Sequence, residues 1–242
     1  MEAPYNAAFA PTRWSLVLAA REPGAGTSAH RALAELCRVY WWPLYAFARR
    51  QGLSPQEAED ATQEFFVAVV EEHLFARAEA TRGSLRSFLL ASFQRDLSDA
   101  RKAERRQKRG GGRSIVSLDL LSAEERLAAE PCNGSTPESL FDRQWALAVL
   151  EAAVTRLEHD YAARGQAPLF IALRPFLTSD SAQYEEACAA LELSRAAARQ
   201  AVHRLRERFG AALRSEIADT LANPSEEATD SELQALRAAL AN

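Results

Sequence analysis

The sequence predicts an all-α fold made of two small helical domains, and three observations lead to this prediction. Apolar residues recur about every 3.6 positions along nearly every segment, which is the period of an amphipathic helix. No segment shows the alternation of β-branched residues that indicates a half-buried strand. The 242 residues, 48% hydrophobic and 26% charged, suffice for one large or two small globular domains and exclude a disordered or collagen-like chain.

Four helices are predicted in the first half of the chain. They cover residues 12–21, residues 28–51, a stretch from Ser54, and a longest helix from Ser84 to the glycines at 110–112. Pro43 should kink or break the second helix, because it lacks a backbone N–H and its ring clashes with the preceding turn. Ser54 and Glu57 have the spacing of a capping box, which marks the start of the third helix.

The second half of the chain predicts a linker, a second helical domain and a tail. Residues 114–140 contain Pro131, Asn133-Gly134 and Pro137 and lack a sustained apolar period, which is typical of a flexible acidic linker. Helices are then predicted over 141–164, 168–178, 183–191, 195–217 and, more weakly, 230–240. The predicted domain organisation is therefore a domain over 1–113, the linker 114–140, a helix-turn-helix domain over 141–217 and an acidic tail over 218–242.

Charge is distributed unevenly along the chain, whose net charge is −4. Residues 95–113 carry eight Lys and Arg against three acids, and residues 194–214 carry six Arg against one acid, so each island has a net charge of +5. Residues 114–142 and 215–242 each carry six acids against one Arg, a net charge of −5. Two basic islands of this size suit a nucleic-acid partner despite the acidic total.

The second basic island lies in a predicted helix-turn-helix. A scaffold helix ending at Leu191, a three-residue turn and Ser194 as the N-cap of the next helix have the required spacing. Glu192 occupies the turn position at which glycine would ease a positive φ. Polar residues off the apolar stripe of the second helix can reach bases and phosphates: Arg195, Arg199, Gln200, His203, Arg204 and Arg208. The alternative is a helical hairpin with a solvated basic face.

Two further surfaces are candidates for binding a partner. The apolar stripe of the longest helix fades after Ala100, where cations accumulate on several faces, so this end suits a phosphate backbone. A solvated run of charge is the alternative. The helix that starts at Ser54 carries an acidic stripe formed by Glu57, Asp60, Glu64 and Glu71. Such a stripe suits a basic partner helix, and the alternative is that it is simply solvated.

The sequence supports neither catalysis nor metal binding. It contains no glycine-rich phosphate loop and no nucleophile elbow, and the three Cys and four His have no metal-ligand spacing. We therefore predict no enzyme activity, no catalytic residue, no metal and no cofactor. No apolar run approaches the roughly 18 residues of a membrane span, and Met1 is not followed by a signal-peptide pattern. Both observations predict a cytoplasmic protein without a membrane partner.

Together these segments resemble the extracytoplasmic-function (ECF) sigma factors of bacterial RNA polymerase. Residues 44–50, 55–70 and 85–106 look like region 2, with Asp60-Ala61-Thr62-Gln63-Glu64-Phe65-Phe66 among the most specific motifs, and residues 184–213 are similar to region 4. The resemblance implies that core RNA polymerase and promoter DNA are partners, and it makes an anti-sigma factor or another regulator a further candidate. A stand-alone helix-turn-helix repressor is the alternative, and a helical adaptor with basic ends is a more distant one.

The resemblance also implies roles for individual residues. The clamp helices of the polymerase largest subunit would bind Asp60, Gln63, Glu64 and Phe66. The -10 element would meet Gln94, Ser98, Arg101, Lys102, Arg105 and Arg106, with the loop over 75–83 as a pocket for a flipped base. The -35 element would be bound by Arg195, Arg199, Gln200, His203, Arg204 and Arg208. For the acidic tail, two hypotheses stay open, since it either shields the DNA-reading arginines in the free protein or is merely solvated.

Overall fold

The computed structural model describes residues 26–71, 84–104, 120–130, 136–178, 184–221 and 224–241. Within these ranges the chain forms nine α-helices and one 3-10 helix and contains no strand, which confirms the all-α prediction. The α-helices are α1 (Gly26–Arg50), α2 (Pro55–Glu71), α3 (Leu85–Glu104), α4 (Leu120–Ala128), α5 (Pro137–Ala163), α6 (Ala167–Leu173), α7 (Tyr184–Leu191), α8 (Arg195–Ala218) and α9 (Glu226–Ala241), and the 3-10 helix is Arg174–Leu177. The predicted helix over 12–21 lies outside the described residues. Of the helices described, none is both long enough and apolar enough to cross a membrane.

The chain folds into two compact units. The first unit consists of Met1–Ala148 together with Ala218–Asn242, and the second unit is Val149–Ile217. This division differs from the predicted domains, because the first change of unit falls inside the continuous helix α5 rather than in the segment over 114–140. The described parts of the predicted linker, residues 120–130 and 136–140, and of the predicted acidic tail, residues 218–221 and 224–241, therefore belong to the first unit.

Aromatic side chains form much of the core of the first unit. The stretch 39–48 of α1 is buried throughout, as expected of a helix that is apolar on all sides. Pro43 lies within this stretch, yet α1 continues through it, because the surrounding buried contacts offset the lost hydrogen bond. Helix α1 packs against α2, and α2 against α3. The ring centroids of Phe47 and Phe65 thereby lie 6.2 and 5.2 Å from that of Phe93.

Helix α2 begins with the predicted capping box. The backbone N–H of Ser54 donates to Oε2 of Glu57 at 2.7 Å, and the N–H of Glu57 donates to Oγ of Ser54 at 3.3 Å. The two bonds satisfy backbone donors that the first turn of a helix leaves free. Hydrogen bonding from Ser54 also lowers the pKa of Glu57. The capping-box prediction is confirmed.

Helix α4 lies within the segment for which the sequence predicts a flexible linker. Glu124 of α4 accepts hydrogen bonds from the Tyr45 hydroxyl at 2.6 Å and from Nε and Nη2 of Arg49 at 2.8 and 2.7 Å. The guanidinium of Arg126 lies 4.7 Å from the ring centroid of Trp42, within reach of a cation–π interaction. Residues 120–130 are therefore a packed part of the first unit. Their nine-residue helix is too short to show a sustained apolar period along the sequence, and it is held by the contacts of Glu124 and Arg126 as well as by the buried Ala123.

The C-terminal segment is also a structured part of the first unit. Helix α9 begins after Ser225, whose Oγ accepts the N–H of Ala228 at 3.1 Å as an N-cap. The helix covers Glu226–Ala241, which is longer than the predicted 230–240, and it buries Thr229, Leu236 and Ala239. Despite its acidic composition, the segment over 226–241 is therefore a helix with one buried face and not a solvated tail.

The second unit has an apolar core of its own. Its buried residues come from the C-terminal part of α5, from α6, from the 3-10 helix and from α8: Leu157, Tyr161, Phe170, Leu173, Phe176, Ala201, Val202 and Leu205. Helix α5 ends at Ala163 and is followed by a left-handed Gly165 with φ +68°, and the N–H of Gln166 donates to the carbonyl of Tyr161 at 2.8 Å. The chain then reverses into α6. We call residues 157–177 the platform, because they supply the buried residues against which α8 packs.

Candidate nucleic-acid and polymerase interfaces

The predicted helix-turn-helix is formed by α7, the turn over 192–194 and α8. Glu192 adopts φ +54°, the left-handed conformation expected for this turn position. The N–H of Leu193 donates to the carbonyl of Cys188 at 3.0 Å and closes the end of α7. Ser194 caps α8, because its Oγ accepts the N–H of Ala197 at 3.2 Å. Each local feature of the turn that the sequence predicts is present.

Helix α8 separates its buried residues from its polar ones. Ala198, Ala201, Val202 and Leu205 are buried in the core of the second unit. Five of the six residues predicted to contact the -35 element are exposed on the remaining surface of the helix: Arg195, Arg199, Gln200, His203 and Arg204. We call these five residues the recognition face. The structure brings them together over three turns of one helix, beginning at its capped end.

Arg208 differs from the other five predicted -35 residues. It is half-buried, and its guanidinium lies 5.1 Å from the ring centroid of Tyr161 in the platform. Arg206, for which the sequence predicts no role, donates from Nε and Nη2 to the carbonyl oxygen of Phe176 at 3.1 and 2.9 Å. The guanidinium groups of Arg208 and Arg206 therefore both contact residues of the platform in the second unit. No signal in the sequence identifies Arg206, because its acceptor is a backbone carbonyl 30 residues away.

Two contacts between a basic and an acidic side chain lie on the surface of the helix-turn-helix. Nη2 of Arg195 is 3.5 Å from Glu185, and the two side chains are 65% and 72% exposed. Nε2 of His203 is 3.4 Å from Glu207 within α8. Exposed pairs of this kind contribute little to stability and are screened by salt. Breaking either contact therefore costs the folded protein little free energy.

Helix α3 contains four of the six residues predicted to meet the -10 element, and the side chains of only two of these four are described. Ser98 is exposed. Gln94 is half-buried, and its Nε2 donates to Oε1 of Glu138 in α5 at 3.0 Å. Arg101 and Lys102 belong to the last turn of α3. Their side chains lie outside the described residues, as do Arg105, Arg106 and the predicted pocket loop over 75–83.

The four residues predicted to bind polymerase separate into two exposed and two buried ones. Asp60 and Glu64 are exposed and lie one turn apart on α2, which places their carboxylates on one side of the helix. Gln63 is buried, and its Nε2 donates to Oε1 of Glu59 at 3.1 Å. Phe66 is also buried, with its ring centroid 5.9 Å from that of Phe65. The surface of α2 therefore offers Asp60 and Glu64, whereas Gln63 and Phe66 support the core.

A helix-turn-helix with an exposed, arginine-bearing second helix is typical of DNA-binding transcription factors. A family model described as ECF sigma factor matches residues 30–215, which is most of the chain and covers part of the first unit and nearly all of the second. The protein belongs to the ECF sigma factor family. This is a family of transcription-initiation factors rather than of enzymes. No curated protein and no solved structure matches the chain significantly.

Proposed function

We propose that this protein binds core RNA polymerase and directs it to promoters through separate contacts with a -10 and a -35 element. The observation that carries the proposal is the recognition face of α8, five polar side chains exposed opposite the buried residues of the same helix. Membership of the ECF sigma factor family supports it. The protein would act in the cytoplasm with the polymerase, and it would have no active site of its own.

The recognition face would read the -35 element in the major groove. Residues near the N-terminus of a recognition helix approach base edges most closely, so Arg195, Arg199 and Gln200 are the candidates for base contacts. Arginine pairs with guanine, and glutamine pairs with adenine, through two hydrogen bonds each. His203 and Arg204 lie one turn further along α8 and would contact phosphates.

The -10 element would be bound along the C-terminal part of α3. Ser98 is exposed there, and the cations Arg101 and Lys102 follow in the last turn of the helix. A cationic helix end suits the phosphate backbone of the displaced strand, which single-strand binding proteins track in the same way. Gln94 would contribute by releasing Glu138, its acceptor in the free protein.

Core polymerase would be bound by the exposed carboxylates of α2. Asp60 and Glu64 present two negative charges one turn apart, which complement a basic surface on the clamp helices of the largest subunit. Complementary charge of this kind speeds encounter more than it raises final affinity. The buried Gln63 and Phe66 would act indirectly, by holding α2 against the rest of the first unit.

In vitro transcription with core polymerase on fragmented genomic DNA tests this proposal. We expect discrete transcripts only when both core polymerase and this protein are present, and we expect the variant Arg199→Ala to lose most of them. Glu227→Gln, an exposed position on α9, is the control for a change of surface charge. Size-exclusion chromatography with and without core enzyme tests the repressor alternative. A dimer that binds duplex DNA tightly without polymerase would support a repressor and contradict the proposal.

A further inference from the structure

The C-terminal segment 218–241 meets the first turn of α3. The N–H of Leu85 donates to the carbonyl of Thr220 at 3.2 Å. Ser84 and Leu221 form an isolated antiparallel bridge, and all four residues are buried. The first N–H groups of a helix have no partner within the helix, so Thr220 satisfies a donor that α3 itself leaves free.

Arg86 joins this end of α3 to two other helices. Its guanidinium bonds to Asp142 of α5, and its Nε lies 3.4 Å from Oε2 of Glu232 in α9. The same guanidinium lies 4.6 Å from the ring centroid of Trp145. The side chains of Arg86 and Glu232 are only 15% and 14% exposed. Burial opposes the charge of Arg86, but the charges of Glu232 and Asp142 outweigh it and raise the pKa of the guanidinium.

Helix α9 is held along its whole length within the first unit. Thr229 is buried in its first turns, and Leu236 and Ala239 are buried further along. At its end, Nη1 of Arg143 in α5 donates to the carbonyl of Leu240 at 3.5 Å. The segment that follows the recognition helix in sequence is therefore attached to the unit that contains α3.

We propose that the C-terminal segment positions α3 for the -10 element and so acts on promoter opening, not on reading of the -35 element. The inference rests on the proposed function of α3. A helix rises about 1.5 Å per residue, so Arg101 lies about 24 Å from the anchored end at Leu85. A tilt of about 5° at that end displaces the cations of the last turn by about 2 Å, which is enough to lose hydrogen bonds to a strand. Glu232 is the positioning residue for α3, acting through Arg86.

Two variants test the inference in holoenzyme assembled from the full chain and core polymerase. Glu232→Gln removes the charge that faces Arg86, and removal of residues 222–242 removes α9. Glu227→Gln is the matched control, because it makes the same change at an exposed position of the same helix. The DNA probes come from a promoter recovered by the genomic transcription experiment. They are a duplex with the -35 element alone and a single strand with the -10 element alone.

We expect Glu232→Gln to weaken binding of the -10 strand roughly three- to tenfold, because the carboxylate charge that faces the partly buried Arg86 is lost and only a weaker, neutral acceptor remains. Removal of α9 should weaken it further. Binding of the -35 duplex should not change, and Glu227→Gln should behave as the unaltered protein. Affinity for core polymerase is the readout that separates positioning from folding. Unfolding of the first unit would lower the affinity for core polymerase together with the affinity for the -10 strand. A displaced α3 would lower only the affinity for the -10 strand, because Asp60 and Glu64 of α2 stay in place.

Equal binding of the -10 strand by both variants and the unaltered holoenzyme would overturn the inference. Parallel losses of -10, -35 and core binding would also overturn it, because they indicate a general loss of structure. A gain in -35 affinity of the free protein after removal of residues 222–242 would overturn it in favour of shielding of the recognition face. Failure of the unaltered holoenzyme to bind either probe would instead contradict the proposed function itself.

Discussion

Arg199 and Arg208 should respond to substitution in different ways, although both belong to the same basic stretch of α8. Arg199 is exposed on the recognition face, whereas Arg208 is half-buried against Tyr161 at 5.1 Å. We predict that Arg199→Ala weakens DNA binding, and that Arg208→Ala chiefly destabilises the second unit. The net charge removed is the same, so any difference between the variants reflects where each guanidinium lies.

The expected magnitudes follow from the two environments. A bidentate contact between arginine and guanine contributes about 1–3 kcal/mol of discrimination against the wrong base. Arg199→Ala should therefore lose most of its preference for guanine at one position of the -35 element. Loss of a phosphate contact would instead reduce the slope of log K against log salt by about 0.9 for every sequence. Arg208→Ala removes a partly desolvated cation–π contact, which should lower the free energy of unfolding by about 0.5–2 kcal/mol. Its salt slope and its base preference should not change.

Fluorescence anisotropy of holoenzyme on -35 duplexes, repeated over a series of salt concentrations and single-base changes, separates these cases. Chemical unfolding of the free protein measures the loss of stability. Arg204→Ala is the reference for a phosphate contact, since Arg204 is exposed on the recognition face one turn before Arg208. A salt slope for Arg208→Ala that falls as it does for Arg204→Ala, with no loss of stability, would show that Arg208 leaves Tyr161 to bind DNA. That result would refute the prediction that Arg208 stabilises the second unit while Arg199 binds DNA.

Three further predictions concern single contacts elsewhere in the molecule. The double variant Asp60→Lys and Glu64→Lys should slow association with core polymerase while its helical circular dichroism stays unchanged, because both residues are exposed; unchanged capture of core enzyme would contradict this role for α2. Glu192→Gly should stabilise the second unit by about 1 kcal/mol in chemical unfolding, because a left-handed conformation with φ +54° strains any residue with a Cβ; equal stability would indicate that the turn is not strained. Hydrogen bonding from Arg49 lowers the pKa of Glu124 below its ordinary value of 4.5. The stability that Glu124 contributes is therefore present above about pH 4.5 and is lost as the pH falls through the lowered pKa. Glu124→Gln should reduce the loss of stability in acid, and an unchanged dependence of unfolding free energy on acidic pH would contradict this.

Local features of the fold could be predicted from the sequence because their partners lie within a few residues. Ser54 and Glu57 are three residues apart, and the cap of α8 joins Ser194 to Ala197. The positive φ of Glu192 follows from its place in a three-residue turn. Such features depend on neighbouring residues and on backbone geometry alone. The recognition face follows for the same reason, since the period of a single helix determines which of its residues share a side.

Features held by distant partners could not be predicted in this way. Glu124 meets Arg49 across 75 residues, and Glu232 meets Arg86 across 146 residues. The sequence shows only acidic segments there, which resemble a solvated linker and tail. Gln63 is a related case, because a polar residue beside Asp60 and Glu64 suggests a surface position. Its burial depends on how α2 packs in the first unit and not on the pattern of α2 itself.

The burial of each arginine's acidic partner separates arginines that hold the fold from arginines whose partner is easily exchanged. In the first unit, Arg86 and Glu232 are only 15% and 14% exposed, so removing either partner leaves a charge that water cannot fully solvate. In the second unit, Arg195 and Glu185 are 65% and 72% exposed, so that pair costs little to break, as the proposed contact of Arg195 with DNA requires. A count of charges along the sequence cannot distinguish these arginines, because each contributes one positive charge whether it is buried or exposed. The difference lies in burial, which makes Arg86 a structural cation and leaves Arg195 free to exchange its partner.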